Sequence, residues 1–392
     1  MGNGRLRVAI VGGGIGGLSA ANALVRRDVE VAVYEQAAEL GEVGAGVLIT
    51  PNSVRQLVRM GLGEAVNELG GRVGDGSRYC RADGTKVGAI RTADSEGAHG
   101  VYGMHRADLL GALAAALPAG IVHTGHRCTG FDQDAGSARL MFANGASAEA
   151  DVVIAADGIH SVLQPHVVEP ASPVYSGHVA YRGLIDATAV PGWPRGVHLV
   201  WMGERKHFMV YPVRGGDLLN YVGFLPSDEA AEETWSGQGD PDALRAAFEG
   251  WDPLIGELLA RVEQTYWWGL FDREPLARWT DGRLTLLGDA AHPMLPHLGQ
   301  GANQSIEDGV ALAVLLAGRT AAEAPEALRA YERFRRPRTA KVQEGARANG
   351  RRYDSQYEDL GQRDAEISAS GELRAWLYDH DVERTAGEFA RT

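Results

Sequence analysis

The residues best suited to chemistry fall in two places along the chain. Near the start, Gly12-Gly13-Gly14-Ile15-Gly16-Gly17 satisfies GxGxxG at Gly12, Gly14 and Gly17. The first glycine permits a tight strand-to-helix turn, the second lets the backbone approach a pyrophosphate, and the third lets helix and strand pack closely. The following helix would point free N–H groups at the phosphates. Glu35, ending the next strand-like run, can accept hydrogen bonds from a ribose 2′-OH. An acid there disfavours a 2′-phosphate, so the expected dinucleotide is FAD or NAD, not NADP. The second place is the stretch 197–225. In an extended strand alternate residues share a face, so His207, Met209 and Tyr211 point one way and Phe208 and Val210 the other. At ~3.3 Å per residue, His207 and Tyr211 can line one pocket wall. A packed sheet with a satisfied tyrosine and a surface histidine is the plainer alternative.

These residues need elements to hold them. Residues 6–11 read as a buried parallel strand, 15–27 as a helix with Ala20, Ala21 and Ala23 available for close packing, and 29–35 as a second strand, a βαβ unit. Two more buried-strand signals are 151–156, ahead of Asp157-Gly158, and 283–287, ahead of Gly288-Asp289 and a helix over about 303–316. Strand–turn units this far apart predict one domain built from distant segments. Residues 197–202, 207–213 and 218–225, separated by turn-rich Gly203–Lys206 and Arg214–Asp217, predict an antiparallel meander. The expected division is a dinucleotide-binding domain over 1–72, 99–170 and 275–345, a substrate domain over 73–98 and 171–274, and a helical tail over 346–392.

Composition narrows the function classes. Of 392 residues 45% are hydrophobic and 23% charged, ordinary globular usage. Thirty-eight Lys and Arg stand against 51 Asp and Glu, a formal charge of −13. That balance argues against a nucleic-acid partner and makes recognition of an anionic substrate a local matter. Cys80 and Cys128 read as reduced thiols, and no CxxC suggests zinc, so no metal is expected. Residues 1–7 do not read as a signal peptide, and no run of 18 apolar residues occurs, so a cytoplasmic protein without a membrane span is expected. Arg333, Arg335, Arg336 and Arg338, at an expected helix end around Pro337, read as salt-bridged surface.

Further motifs choose between the dinucleotides. They are Tyr34-Glu35-Gln36, Gly44-Ala45-Gly46-Val47, Pro51-Asn52, His105-Arg106-Ala107-Asp108-Leu109 and Asp157-Gly158-Ile159-His160-Ser161. Gly288-Asp289-Ala290-Ala291-His292-Pro293 and Pro296-His297-Leu298-Gly299-Gln300-Gly301-Ala302-Asn303 complete the set. Together, over about residues 6–345, they resemble the class A FAD-dependent aromatic hydroxylases, and within them the salicylate hydroxylase and 6-hydroxynicotinate 3-monooxygenase group. The resemblance implies an α/β fold: a Rossmann-like FAD-binding domain, an inserted mixed or antiparallel substrate domain and a helical C-terminal segment. It implies FAD held by Gly12, Gly14, Gly17, Glu35, Gln36, Arg106, Asp157, Gly288 and Asp289, with Pro296, Gly299, Gly301, Ala302 and Asn303 opening a helix onto the flavin. The positive end of such a helix stabilises the anion of reduced flavin by roughly 0.3–2 kcal/mol. Two positions depart from the pattern. Gln164 stands where the family often has arginine, and Leu48 stands where the 6-hydroxynicotinate enzymes place histidine.

Side chains cannot activate O2 toward an aromatic ring unaided, so the cofactor must carry that step. The resemblance implies NAD(P)H as a transient co-substrate, NADH favoured, with no second GxGxxG to hold it. It also implies a C4a-hydroperoxyflavin attacking a small phenolic or hydroxypyridine carboxylate, with or without loss of CO2. A base near the ring hydroxyl is then expected. His297 is the first candidate, with His207 and Tyr211 on the meander; Val47, Ile49, Met209 and Phe224 are candidate substrate contacts. Arg182 reads as a sheet-edge or FAD-side contact, with a substrate carboxylate as the alternative, and His292 as structural. The family implies a monomer or homodimer. Two other readings stay open: a same-fold flavoprotein oxygenase or reductase acting on a larger natural product, and a non-catalytic dinucleotide-binding regulator.

Overall fold

The computed structural model describes residues 5–41, 45–169, 173–227, 237–355 and 357–391; Gly44 and residues 1–4 lie outside them. Arg7–Val11, buried apart from its first residue, is a central strand of a six-stranded sheet. It pairs in parallel with Glu30–Tyr34 on one side and with Val152–Ala155 on the other, which in turn pairs with Leu284–Leu286. The three distant strand–turn signals are thus neighbours, and the turns after them, at Gly12, Asp157 and Gly288, lie at one end of the sheet.

The Ile15–Val25 helix packs on the Gly301–Leu316 helix through small residues. A Cβ on Gly309 would lie 2.7 Å from the Ala20 nitrogen, and one on Gly16 would lie 2.6 Å from a Leu287 methyl. This close approach is what Ala20 and its neighbours make room for.

The second sheet has eight strands in the order Gly237–Gly239, Thr265–Asp272, Val174–Asp186, Leu218–Pro226, Lys206–Val213, Leu199–Gly203, Arg78–Arg81, Lys86–Ala89. The expected meander forms its middle. Val174–Asp186 is an interior strand, so Arg182 is not at a sheet edge. One face carries Trp201, Phe208, Val210 and Tyr221 against the helices Pro241–Ala247 and Pro253–Leu259. The other carries Val200, Met209, Phe224 and Trp268 toward the C-terminal helices. The alternation read along 207–211 therefore holds for the side chains of Phe208, Met209 and Val210.

The C-terminal region is helical over Ala324–Tyr353, Leu360–Ala369, Gly371–Tyr378 and Val382–Phe389. Two expectations fail here. Pro337 lies inside the first of these helices, not at its end. The arginine cluster divides by helix face. Arg333 and Arg336 make outer pairs with Glu326 and Glu332, but Arg335 is fully buried and Arg338 nearly so. Arg335 Nη1 meets Glu307 Oε2 at 2.6 Å and its Nε meets Asp308 Oδ1 at 2.8 Å; Arg338 Nε meets Glu307 Oε2 at 2.7 Å. Spacing of three and four residues puts 335 and 338 on the inward face, where two buried carboxylates require counter-charge. Cys80 and Cys128 are buried, unpaired thiols, and no helix among the described residues is long and apolar enough to cross a membrane.

Removing one partner of this network leaves an uncompensated buried charge. Arg335→Met is expected to lower stability by ~3–5 kcal/mol, read as a reduced urea midpoint; an unchanged midpoint would show that Arg338 alone suffices. Burial opposes the charge of Glu307, but Arg338 and Arg335 hold its carboxyl well below the ordinary 4.5. Its stabilisation is therefore fully present above about pH 4.5 and is lost as pH falls toward the depressed folded value.

Candidate active site

The glycine loop has the geometry a dinucleotide requires. Gly12 has φ +108, and a Cβ there would lie 2.3 Å from the Ala156 carbonyl oxygen; one on Gly17 would lie 2.0 Å from the Gly12 oxygen. Gly14, the N-cap of the Ile15–Val25 helix, has no atom within 4 Å of its Cβ position. Two of the three glycines are thus demanded by the fold, and the third leaves backbone open to a ligand. The carboxylate of Glu35 lies beside the loop, accepting from Gly13 N at 2.7 Å and Ala37 N at 2.8 Å. Gln36 is exposed. Asp157 accepts from Val162 N through Oδ2, while its buried Oδ1 has no partner among the described residues, and burial pushes its carboxyl up.

A cavity of ≈ 230 Å³ lies between the eight-stranded sheet, the loop Pro293–Ala302 and the C-terminal helices. Arg106, Asp289, Pro296, Gly299, Gly301 and Ala302 line it. Gly301 and Ala302 begin a 16-residue helix whose first N–H groups have no partners within the helix. Gly299, at φ +62, turns the chain into that helix. Asn303 lies behind the wall. Its Oδ1 accepts from Thr50 N, and its Nδ2 donates to the oxygens of Leu48 and Gly299. It fastens the end of the Gly46–Ile49 strand, and Thr50 after it, to the helix start. Gly288, at φ +63, donates its N–H to Asp308 Oδ2, which also receives His292 Nε2 at 2.5 Å. Gln164, at the variant position, donates to the Ala290 oxygen and so braces the same turn.

Of the candidate substrate residues, Val47, Met209, Tyr211, Phe224 and His297 line the cavity, as do Leu48 and Arg182. Two do not. Ile49 is fully buried in the core of the six-stranded sheet, because the Gly46–Ile49 strand turns it away. His207 sits one layer behind the wall, neither facing the cavity nor exposed. Its ring stacks on Phe224 at 4.1 Å, and its Nδ1 lies 2.7 Å from Asp354 Oδ1. Asp354 Oδ2 meets half-buried His178 Nε2 at 3.3 Å. The His297 ring stands edge-on to His207 at 5.2 Å. Burial first, then the neighbouring imidazole of His207, pushes the pKa of His297 down to about 3. Burial likewise raises that of the Tyr211 phenol.

Sequence reasoning missed Asp354, His178, His198 and the tail residues Tyr353, Arg374 and Tyr378, the last three also lining the cavity with His198. The only signal in the tail was Arg374 and Tyr378 four residues apart, one helical turn.

Comparison with known proteins completes the description. The family described as FAD binding domain matches residues 5–346. The 3-amino-4-hydroxybenzoate 2-monooxygenase of Streptomyces platensis is 38% identical, covering 97% of each chain. A salicylate hydroxylase of Pseudomonas putida is 35% identical over 98% of this chain and 94% of its own. A solved salicylate hydroxylase substrate complex superposes with a TM-score of 0.86 at 30% identity, covering 98% of both chains.

Gly14 and Gly17 should separate ligand binding from folding. Gly14→Ala, with open space at its Cβ, is expected to leave the melting temperature of the apoprotein unchanged while weakening FAD by about tenfold or more, ~1.4 kcal/mol per decade. Gly17→Ala is expected to lower both. Fluorescence titration of FAD beside apoprotein melting distinguishes them, and an unaltered FAD affinity in Gly14→Ala would refute the assignment of the loop.

Proposed function

Because the chain belongs to the FAD-dependent aromatic-ring monooxygenases, we propose that it hydroxylates a small ring bearing both a hydroxyl and a carboxylate, consuming NADH or NADPH and O2. The glycine loop, Glu35, Arg106, Asp289 and the helix start at Gly301 would hold the FAD, which when bound would supply the oxygen-transfer chemistry. The observation that carries the reading is the cavity itself. Apolar Val47, Met209 and Phe224 suit a flat ring, neutral His297 suits its hydroxyl, and arginines suit its acid group.

His297 is the group assigned to the ring hydroxyl. An imidazole with so low a pKa does not keep the proton, but its neutral form can accept a hydrogen bond from the ring hydroxyl and relay that proton onward, and a ring so polarised is richer in electrons and more open to electrophilic oxygen. Its Nδ1 is buried and has no hydrogen-bond partner among the described residues. Behind it His207, oriented by Asp354, and His178 on the far carboxylate oxygen form a line of titratable groups toward the half-buried rim. Burial opposes the charge of Asp354, yet His207 and His178 keep its carboxyl below the ordinary range. It stays an acceptor and fixes the tautomer of His207. Tyr211 closes the wall as a neutral phenol.

The test is NADH oxidation by the holoenzyme against a panel headed by 3-amino-4-hydroxybenzoate and salicylate, with peroxide, product and CO2 measured in parallel. Strong stimulation by one acid with little peroxide is expected; stimulation by none, or peroxide alone, would remove the substrate assignment. His297→Gln is expected to lower coupled hydroxylation by ~100-fold with flavin reduction retained. Gly350→Ala, whose Cβ would lie 2.9 Å from His297 Nε2, is expected to lower it as well without unfolding the helix. The reactive form of His297 is the neutral one. With its pKa down at about 3 instead of 6.5, that form persists as pH falls through the ordinary histidine range. No acid limb near 6.5 should depend on His297; one that vanishes in His297→Gln would show that His297 titrates in the ordinary histidine range after all.

A further inference from the structure

The Gly371–Tyr378 helix presents a buried cation to the cavity. Arg374 is 7% exposed. Its Nη1 donates to Tyr378 Oη at 3.3 Å and its Nη2 to Tyr353 Oη at 3.0 Å, and its guanidinium carbon lies 5.7 Å from the centre of the Tyr79 ring. All three partners are phenols, and burial raises the pKa of both Tyr79 and Tyr378, which keeps them uncharged. Among the described residues no carboxylate pairs with Arg374, whereas Arg335 and Arg338, equally buried, share Glu307. Burying a charge without a counter-charge is costly, so a wall that carries one invites an anion.

A second observation points to the same end of the cavity. His198 also lines it, is 6% exposed, and its Nε2 has no hydrogen-bond partner among the described residues. Burial and then the nearby Arg374 push its pKa down to about 3, so it is a neutral hydrogen-bonding group. Of the other three arginines on the wall, Arg91 donates to the Ala93 oxygen and Ser95 Oγ, Arg182 stacks on Trp268 at 4.6 Å, and Arg106 is the one assigned above to the FAD.

We propose that Arg374 is the receptor for the carboxylate of the substrate, with His198 beside it as a neutral partner, so that the C-terminal helix selects aromatic acids over uncharged phenols. The substrate brings the counter-charge that the wall lacks, and a planar guanidinium matches a carboxylate in two parallel hydrogen bonds. This inference rests on the reading that the cavity takes an aromatic acid.

The test needs no turnover. Benzoate and benzamide, alike in shape and differing in charge, are titrated into the FAD-loaded enzyme and followed by the perturbation of flavin absorbance. The wild type is expected to bind benzoate about 100-fold tighter than benzamide, the scale of a buried charge pair. Arg374→Met should bind the two alike. Arg374→Lys, which keeps the charge and serves if the methionine variant loses its fold, should keep the preference with benzoate weakened about tenfold. A preference that survives in Arg374→Met, or benzoate affinity unchanged in Arg374→Lys, overturns the proposal. If the preference is lost as expected but no aromatic acid supports turnover, the receptor stands and the hydroxylation reading fails. If turnover proceeds on aromatic acids while both variants keep the full preference, the receptor fails and the hydroxylation reading stands.

Discussion

Glu307 and Asp308 are adjacent, fully buried carboxylates, and most of what surrounds the cavity is anchored to them. Asp308 holds the N–H of Gly288, and through it the turn that carries Asp289. Glu307 receives Asn52 Nδ2, which ties in the helix following the Gly46–Ile49 strand. Arg335 and Arg338 close the charge balance and bind the long C-terminal helix to the Gly301–Leu316 helix. Because each acid is satisfied only if all its partners arrive together, the network allows one arrangement of these segments. Such a network costs desolvation and contributes less net stability than an apolar core of similar volume. What it provides is registry between pieces of chain far apart in sequence.

That registry has consequences at the cavity. The long helix fixed by Arg335 and Arg338 continues to Asn349 and Gly350, and these hold His297: Asn349 donates to its carbonyl oxygen at 3.1 Å, and glycine at 350 leaves room for its ring. The same helix ends in Asp354, which orients His207. Ionic contacts in the core thus set where an uncharged histidine meets the cavity. Charge is segregated in consequence: paired acids and arginines in the core, a neutral imidazole near the helix start at Gly301, and a phenol-lined arginine on the cavity wall.

The legible part of the site is the part written in local pattern. GxGxxG, the acid at Glu35 and the two late motifs are read from contiguous residues because backbone geometry demands glycine there: Gly12 needs its positive φ, and Gly17 has no room for a Cβ. Period-two alternation placed Met209 and Tyr211 on the cavity side. It failed for His207, because sharing a face of a strand does not decide which residue reaches the cavity and which is covered by Phe224 and Tyr353. Ile49, expected beside Val47 as a substrate contact, is instead buried at the end of the Gly46–Ile49 strand. A short arginine cluster in a chain acidic overall reads as surface; nothing local says that Glu307 and Asp308, some 30 residues earlier, wait inside.

The dinucleotide loop, the meander, the α/β class and the likeness to flavin hydroxylases are legible along the chain, since each rests on spacing within a few consecutive residues or on a set of such runs. Folding alone brings a helix of the C-terminal tail to the cavity with Arg374 and Tyr378, joins His178 and His207 at Asp354, and buries Arg335 in the core. One cause underlies all three. Whether a charged or titratable group acts depends on its burial and its partners, and both come from segments brought together by folding, which no local pattern encodes.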